Sequence, residues 1–242
     1  MATNEEEQRR DLAAAHRLVA LEGWDDLVFT MLSARVPGES DRLLVTPYGK
    51  MCAQVTASSL VKTDLDGNIV EGVGPIDELG FPIYGAIHRS RPDVDCVLHV
   101  HSLDGVAVSA QARGLLPLSQ TALLICSDLG YHDYAGLGDD SAEQGRLVGD
   151  LGAHGAMLLR NHGSLTVGKC VAEAFLRLHI LESACSIQVR ALAGGTMVRE
   201  VEADVSAAVA SQALELLDGP AAETAWPALL ERIEKKHPDF AD

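Results

Sequence analysis

His99-Val100-His101 closes the apolar run Cys96-Val97-Leu98, which reads as a buried strand. On a strand, residues i and i+2 share a face, so the two imidazoles project side by side with their Cα atoms about 6.6–7 Å apart. That is the layout of a metal chelate, and equally of two strand-end histidines bonded to backbone. A third donor separates these readings, and Asn161-His162-Gly163 supplies one. It stands between the apolar segments 156–160 and 164–168, so it reads as a short turn joining two strands. Three imidazoles with an open position describe a catalytic Zn²⁺ site better than a closed structural one.

The elements that must hold these histidines follow from periodicity. Leu12, Ala15, His16 and Val19 predict an amphipathic helix over about 5–21, ended by Gly23. Strands are expected over 27–36 and 42–45 around the turn 37–40, and over 60–65 and 68–70 around Asp66-Gly67. Residues 81–90 read as a helix stopped by Arg91-Pro92-Asp93, and 106–110 as helical. The apolar segment 115–125 predicts one or two buried strands, broken at Pro117 and Gln120. A helix over 141–151 would be capped by Asp139 or Asp140, with Glu143 in its first turn. The clearest helix is 171–192, whose apolar stripe runs from Val171 through Phe175 and Leu178 to Leu192 before Gly194-Gly195. Two more helices are expected over 203–217 and 223–236. Strands and helices thus intermingle without a regular βαβ repeat, which predicts a mixed α/β sheet covered by helices. The expectation is one domain over 1–242, with its core at about 8–195 and a helical extension over 196–242 that packs on the body or at a subunit interface.

Composition narrows the function classes. A chain of 242 residues with 47% hydrophobic and only 4% aromatic content builds its core from Leu, Val, Ile and Ala. A net charge of −16 argues against nucleic acid or an anionic membrane surface as partner, since both attract basic patches. The first ten residues carry Glu5-Glu6-Glu7 and Arg9-Arg10 with no apolar core, so no secretory signal is expected there. Five scattered cysteines without Cys-x-x-Cys predict reduced thiols in the cytoplasm.

The stretch Thr30-Met31-Leu32-Ser33-Ala34-Arg35, then Thr46-Pro47-Tyr48-Gly49, Arg91-Pro92-Asp93, His99-Val100-His101 and Arg160-Asn161-His162-Gly163 occur in an order and spacing that resemble the class II aldolase/adducin family. The resemblance covers about 8–195. That family includes L-fuculose 1-phosphate aldolase, epimerases of the same fold and the metal-free head of adducin. It implies a three-layer α/β/α sandwich with a mixed, largely antiparallel sheet, and a homotetramer with sites at subunit interfaces. It also implies Zn²⁺ held by the residues aligned with His99, His101 and His162, with Mn²⁺ or Fe²⁺ as alternatives.

The departures bear on mechanism. The aldolases carry an acid/base glutamate 19 residues before the first metal histidine, and that position is Gly80 here. Glu78 is the nearest replacement in the expectation, with Asp77 beside it. Tyr131 and His132, in an expected loop between Gly130 and Gly136, are further acid/base candidates. Positions that hold phosphate in the aldolases resemble Met31, Tyr48, Glu78 and Leu79, which predicts a substrate that is not a sugar phosphate. Gln120 matches a catalytic tyrosine position and can bond a substrate without donating a proton. Ser33, Arg35 and Lys50 complete the expected substrate contacts, with Arg35 alternatively pairing an acid on the adjacent strand.

The reading is a metal-dependent lyase, aldolase or decarboxylase, acting on a small hydroxy- or keto-carbonyl or carboxylate substrate through a metal-stabilised enolate. Two alternatives stand beside it. One is a non-haem iron oxygenase of the same fold, for which Glu78 or Asp77 must become a ligand. The other is a non-catalytic binding protein like the adducin head.

Overall fold

The computed structural model describes residues 4–136, 141–195 and 197–242. Eight strands form one sheet in the order β4-β3-β2-β1-β5-β8-β7-β6. They are β1 (Met31–Val36), β2 (Glu39–Val45), β3 (Val61–Asp64), β4 (Ile69–Glu71), β5 (Cys96–Val100), β6 (Leu129–His132), β7 (Ala156–Leu159) and β8 (Gly163–Gly168). Every pairing is antiparallel except β6 with β7, so the sheet is mixed and largely antiparallel.

Strand alternation sorts the core into two faces. Leu32, Ala34, Leu98 and Val100 face α1 (Glu5–Glu22), α6 (Val171–Ala193) and α8 (Pro220–Lys236). Met31, Val97, Met157, Leu159 and Leu165 face α2 (Phe81–Ser90) and α5 (Ser141–Leu151). The result is the expected α/β/α layering. His99 lies two residues beyond Val97 and so points to the α2/α5 face. Short α3 (Leu103–Ser109) and α4 (Gln120–Cys126) pack on α6, and α7 (Ala203–Leu217) packs on α4. Both C-terminal helices therefore rest on the body of their own chain.

Helix ends follow local chemistry. Asn4 caps α1 by accepting the Glu7 N–H at 2.9 Å, and Gly23 ends it with φ +71°. The Asp139 or Asp140 cap expected for α5 lies outside the described residues.

Three expected elements are corrected. β1 starts at Met31 rather than 27, because Leu27 takes φ +47° and the Asp26 N–H bonds the Thr30 hydroxyl at 2.8 Å, coiling 26–30 into a turn. Segment 115–125 is not strand. Ser119 accepts the Ala122 N–H at 3.1 Å and starts α4, whose Ala122 and Ile125 bury toward α6. The expected loop at Tyr131-His132 is instead the end of β6, paired in parallel with β7 through His132 and Leu159.

Two histidines away from His99 are structural. His16 is fully buried, with Nδ1 2.7 Å from the Leu12 carbonyl and Nε2 2.7 Å from the Thr46 hydroxyl. His88 meets the Ser33 hydroxyl at 2.9 Å. Burial lowers the pKa of His16 to about 4, and burial with the Arg35 guanidinium lowers that of His88 to about 3, from an ordinary 6.5. Below pH 6.5 the unfolded chain takes up protons that these folded sites refuse. Their stabilisation is therefore complete above pH 6.5 and is lost as the pH falls toward 4. Denaturant unfolding across this window should show stability falling with pH by about 1.4 kcal/mol per unit for each of the two groups. A flat profile, or one that rises on acidification, would contradict the neutral burial.

Candidate metal centre

β5 is fully buried between β1 and β8, which fixes where His99 and His101 emerge. His162 enters from the tight β7–β8 reversal. Its N–H bonds the Leu159 carbonyl at 3.0 Å, and Asn161 takes φ +59° to make the turn. Gly163 is required because a Cβ there would lie 2.4 Å from the Val100 carbonyl.

The three rings converge through Nε2. His101 Nε2 lies 2.8 Å from His99 Nε2 and 3.0 Å from His162 Nε2. Tetrahedral ligands on Zn²⁺ at 2.0–2.1 Å stand about 3.3–3.4 Å apart, so the cluster is a few tenths of an ångström from a zinc-holding set. His99 Nδ1–H donates to the Ser164 carbonyl at 2.9 Å, and His101 Nδ1 faces the Asp26 carboxylate at 3.3 Å. Each contact places the proton on Nδ1 and leaves an Nε2 lone pair aimed inward. Burial, then repulsion from the other imidazoles, lowers the His99 pKa well below its usual value; the same causes bring His162 to about 4. Neutral imidazoles are the metal-binding form, and the donor set fits a divalent ion.

Behind the cluster, Ser102 accepts the Gly105 N–H at 2.9 Å and donates to Glu182, whose buried carboxyl has a raised pKa through desolvation. This ties the end of β5 to α3 and α6.

The cluster opens into a cleft of about 590 Å³. Its wall carries three carboxylates, those of Asp26, Asp77 and Glu143, together with Tyr134 and His132. His132 is buried, with Nδ1 2.7 Å from Asp150 and Nε2 2.7 Å from Glu143. Those two bonds hold β6 to α5; the His132 bond first, and then Arg146 on the other oxygen, lower the pKa of Glu143 against its desolvation.

Several expected site residues fall elsewhere. Glu78 is exposed and outside the cleft wall, because the turn into α2 brings in Asp77 instead. A Cβ on Gly80 would lie 2.7 Å from Asp77 Oδ2, so this carboxylate occupies the space that a side chain at position 80 would take. Tyr131 is turned away from the cleft. Its hydroxyl accepts the Leu115 N–H at 3.1 Å, and the Arg160 guanidinium sits 4.4 Å above its ring. Ser33 is buried against His88, and Arg35 pairs with Asp95 at 3.1 Å and with the His88 carbonyl at 2.8 Å. Lys50 and Gln120 are exposed and do not reach the cleft wall. Sequence reasoning missed Asp26 and passed over Glu143. Asp26 is 75 residues from His101, with no local pattern linking them, and Glu143 carried only the signal of a helix first-turn acid.

Comparison with known proteins decides the family. Residues 10–189 match the model of the Class II Aldolase and Adducin N-terminal domain. The chain belongs to the class II aldolase and adducin family. It is 43% identical to an aldolase II superfamily protein of Pseudomonas syringae, whose crystal structure superposes with a TM-score of 0.95 over 100% of this chain and 98% of that one. L-fuculose 1-phosphate aldolase of Glaciozyma antarctica superposes with a TM-score of 0.85 at 26% identity, over 98% of this chain and 92% of that one. Mouse alpha-adducin is 43% identical over 190 residues, which is 76% of this chain and 26% of the adducin. Class II aldolases generally use a divalent metal, and the three converging histidines are where this family member presents a donor set for one.

The geometry predicts uptake of one Zn²⁺ per chain in a competition titration against a chromophoric chelator. His162→Ala should abolish it. Asp26→Asn should weaken it about 10–100-fold by freeing the His101 ring. Unchanged affinity in His162→Ala would rule out the three-histidine set.

Proposed function

We propose that this protein is a metal-dependent lyase, an aldolase or decarboxylase, cleaving a carbon–carbon bond in a small hydroxy- or keto-carbonyl or carboxylate substrate. The observation that carries this is the convergence of three Nε2 lone pairs at the floor of a cleft, with Nδ1 bonded behind two of them. Bound there, a divalent ion, Zn²⁺ first with Mn²⁺ or Fe²⁺ as alternatives, supplies Lewis acidity to the negative charge that develops on an enolate oxygen.

The chain's own residues supply the rest. Ser164 and Asp26 orient His99 and His101. Leu159, Leu165 and Met31 line the floor and keep water away from the reacting carbon. Asp77 is the proton acceptor in this reading: the Leu79 N–H bonds Oδ1 at 3.1 Å, while Oδ2 stands over Gly80. It takes the substrate hydroxyl proton as the carbon–carbon bond breaks, and returns it to carbon afterwards. In decarboxylation no hydroxyl proton is removed: CO₂ leaves, and the carbon takes up a proton that comes from water.

The similarity to L-fuculose 1-phosphate aldolase supports a lyase. The similarity to alpha-adducin favours a second reading, a binding module without catalysis. The iron-oxygenase reading has less support, since the ligand cluster among the described residues is three histidines without a carboxylate. The proposal extends to a homotetramer in the cytoplasm, which rests on the family resemblance and on the five free cysteines. No helix among the described residues is long and apolar enough to cross a membrane.

Metal-loaded protein should exchange the C3 hydrogens of 4-methyl-2-oxopentanoate with D₂O, followed by proton NMR. Chelator-stripped protein should not, and Asp77→Asn should slow the exchange about 10²–10⁴-fold with metal content unchanged. Iron-dependent oxygen uptake would favour the oxygenase instead, and absence of both metal uptake and exchange would favour the binding module.

A further inference from the structure

We propose that the three-histidine cleft takes a substrate whose chelating oxygens carry a hydrocarbon substituent, alkyl or aryl, in place of a phosphate-bearing chain. This rests on the chelating reading of the site given above. Apolar side chains run along the cleft from floor to mouth: Leu165 and Met31 lie on the sheet beside His99, Ile83 and Leu147 come from α2 and α5, and Val106 comes from α3. At the mouth, Leu103 is 88% exposed, Leu79 54% and Phe29 47%, all three lining the same cleft. Large apolar side chains exposed on this chain at the entrance, continuous with the apolar residues of the interior, gain by covering a hydrocarbon group. A contact between two copies of the chain would use the rim and leave the apolar lining beneath it unexplained.

The charges select against phosphate. Asp26, Asp77 and Glu143 bring carboxylates to the wall. His132 is held between Glu143 and Asp150, and Arg146 is also bound to Glu143. Arg160 is the arginine of the wall, with no lysine beside it among the described residues. Its guanidinium donates to the Gln111 carbonyl at 2.8 Å and lies over the Tyr131 ring. A phosphate dianion requires several charge-assisted donors, and here it would meet three carboxylates and one engaged guanidinium. A hydrocarbon chain requires only the removal of water.

Three hydroxamates with the same chelating head test this by calorimetry on the Zn²⁺-loaded protein: acetohydroxamate, hexanohydroxamate, and acetohydroxamate carrying a 2-phosphate. Each buried methylene is worth roughly a fourfold gain. Hexanohydroxamate, with four more methylenes than acetohydroxamate, should therefore bind at least about tenfold tighter, and the phosphorylated compound no tighter than acetohydroxamate. Equal affinities, or tightest binding by the phosphorylated compound, would overturn the substrate class and leave the chelating site standing. Failure of all three to bind fully loaded protein would remove the chelating reading and this inference with it. Leu103→Gln should shrink the hexanohydroxamate advantage about threefold or more, with acetohydroxamate affinity and solution mass unchanged. A changed solution mass with the advantage intact would assign the patch to contacts between copies and overturn the inference.

Discussion

The site depends on one hydrogen bond, from His99 Nδ1 to the Ser164 carbonyl at 2.9 Å across the β5–β8 pairing. Register makes it possible, since Val100 lies opposite Ser164 and His99 opposite Leu165. A slip of one residue would turn His99 to the α1/α6 face, burying an imidazole against Leu32, Phe175 and Leu178, and would turn Leu98 and Val100 out of that core. With the bond made, the tautomer is fixed and Nε2 has a lone pair where His101 and His162 also point. Gly163 follows from the same closeness, because the turn delivering His162 passes over the Val100 carbonyl.

Burial then works for the site. Desolvation holds His99 and His162 neutral well into the acid range, and neutral imidazole is the ligand form. The carboxylates around the cluster are separated by their partners. Asp26 orients a ring, Glu143 is bound by His132 and Arg146, and Asp77 keeps one oxygen over the space above Gly80. Three acids on one wall thus take on different roles through what each one touches.

Much of this was legible in the sequence. His-Val-His at the end of an apolar run and His162 in a glycine turn located the cluster, because strand periodicity and turn chemistry are local. The long α6 stripe and the Pro37-Gly38 turn were legible for the same reason. Tertiary context decided the remainder. Segment 115–125 carries the apolar content of a strand, yet the Ser119 cap and the buried face of α6 make its second half helical. Glu78 and Asp77 are adjacent in sequence, and only the entry angle into α2 determines which one meets the cleft. Tyr131 reads as a chemical group, but Arg160 and the Leu115 N–H hold it in a packing role. Asp26 had no local signal, since its partner His101 lies 75 residues further along the chain.

X-ray absorption at the zinc edge of the Zn²⁺-loaded protein tests the central claim most directly. The account predicts about three nitrogen neighbours at 2.0–2.1 Å with imidazole outer-shell scattering, plus one or more light oxygen ligands completing the sphere. Sulfur neighbours at about 2.3 Å, or a shell of oxygens without imidazole scattering, would contradict it.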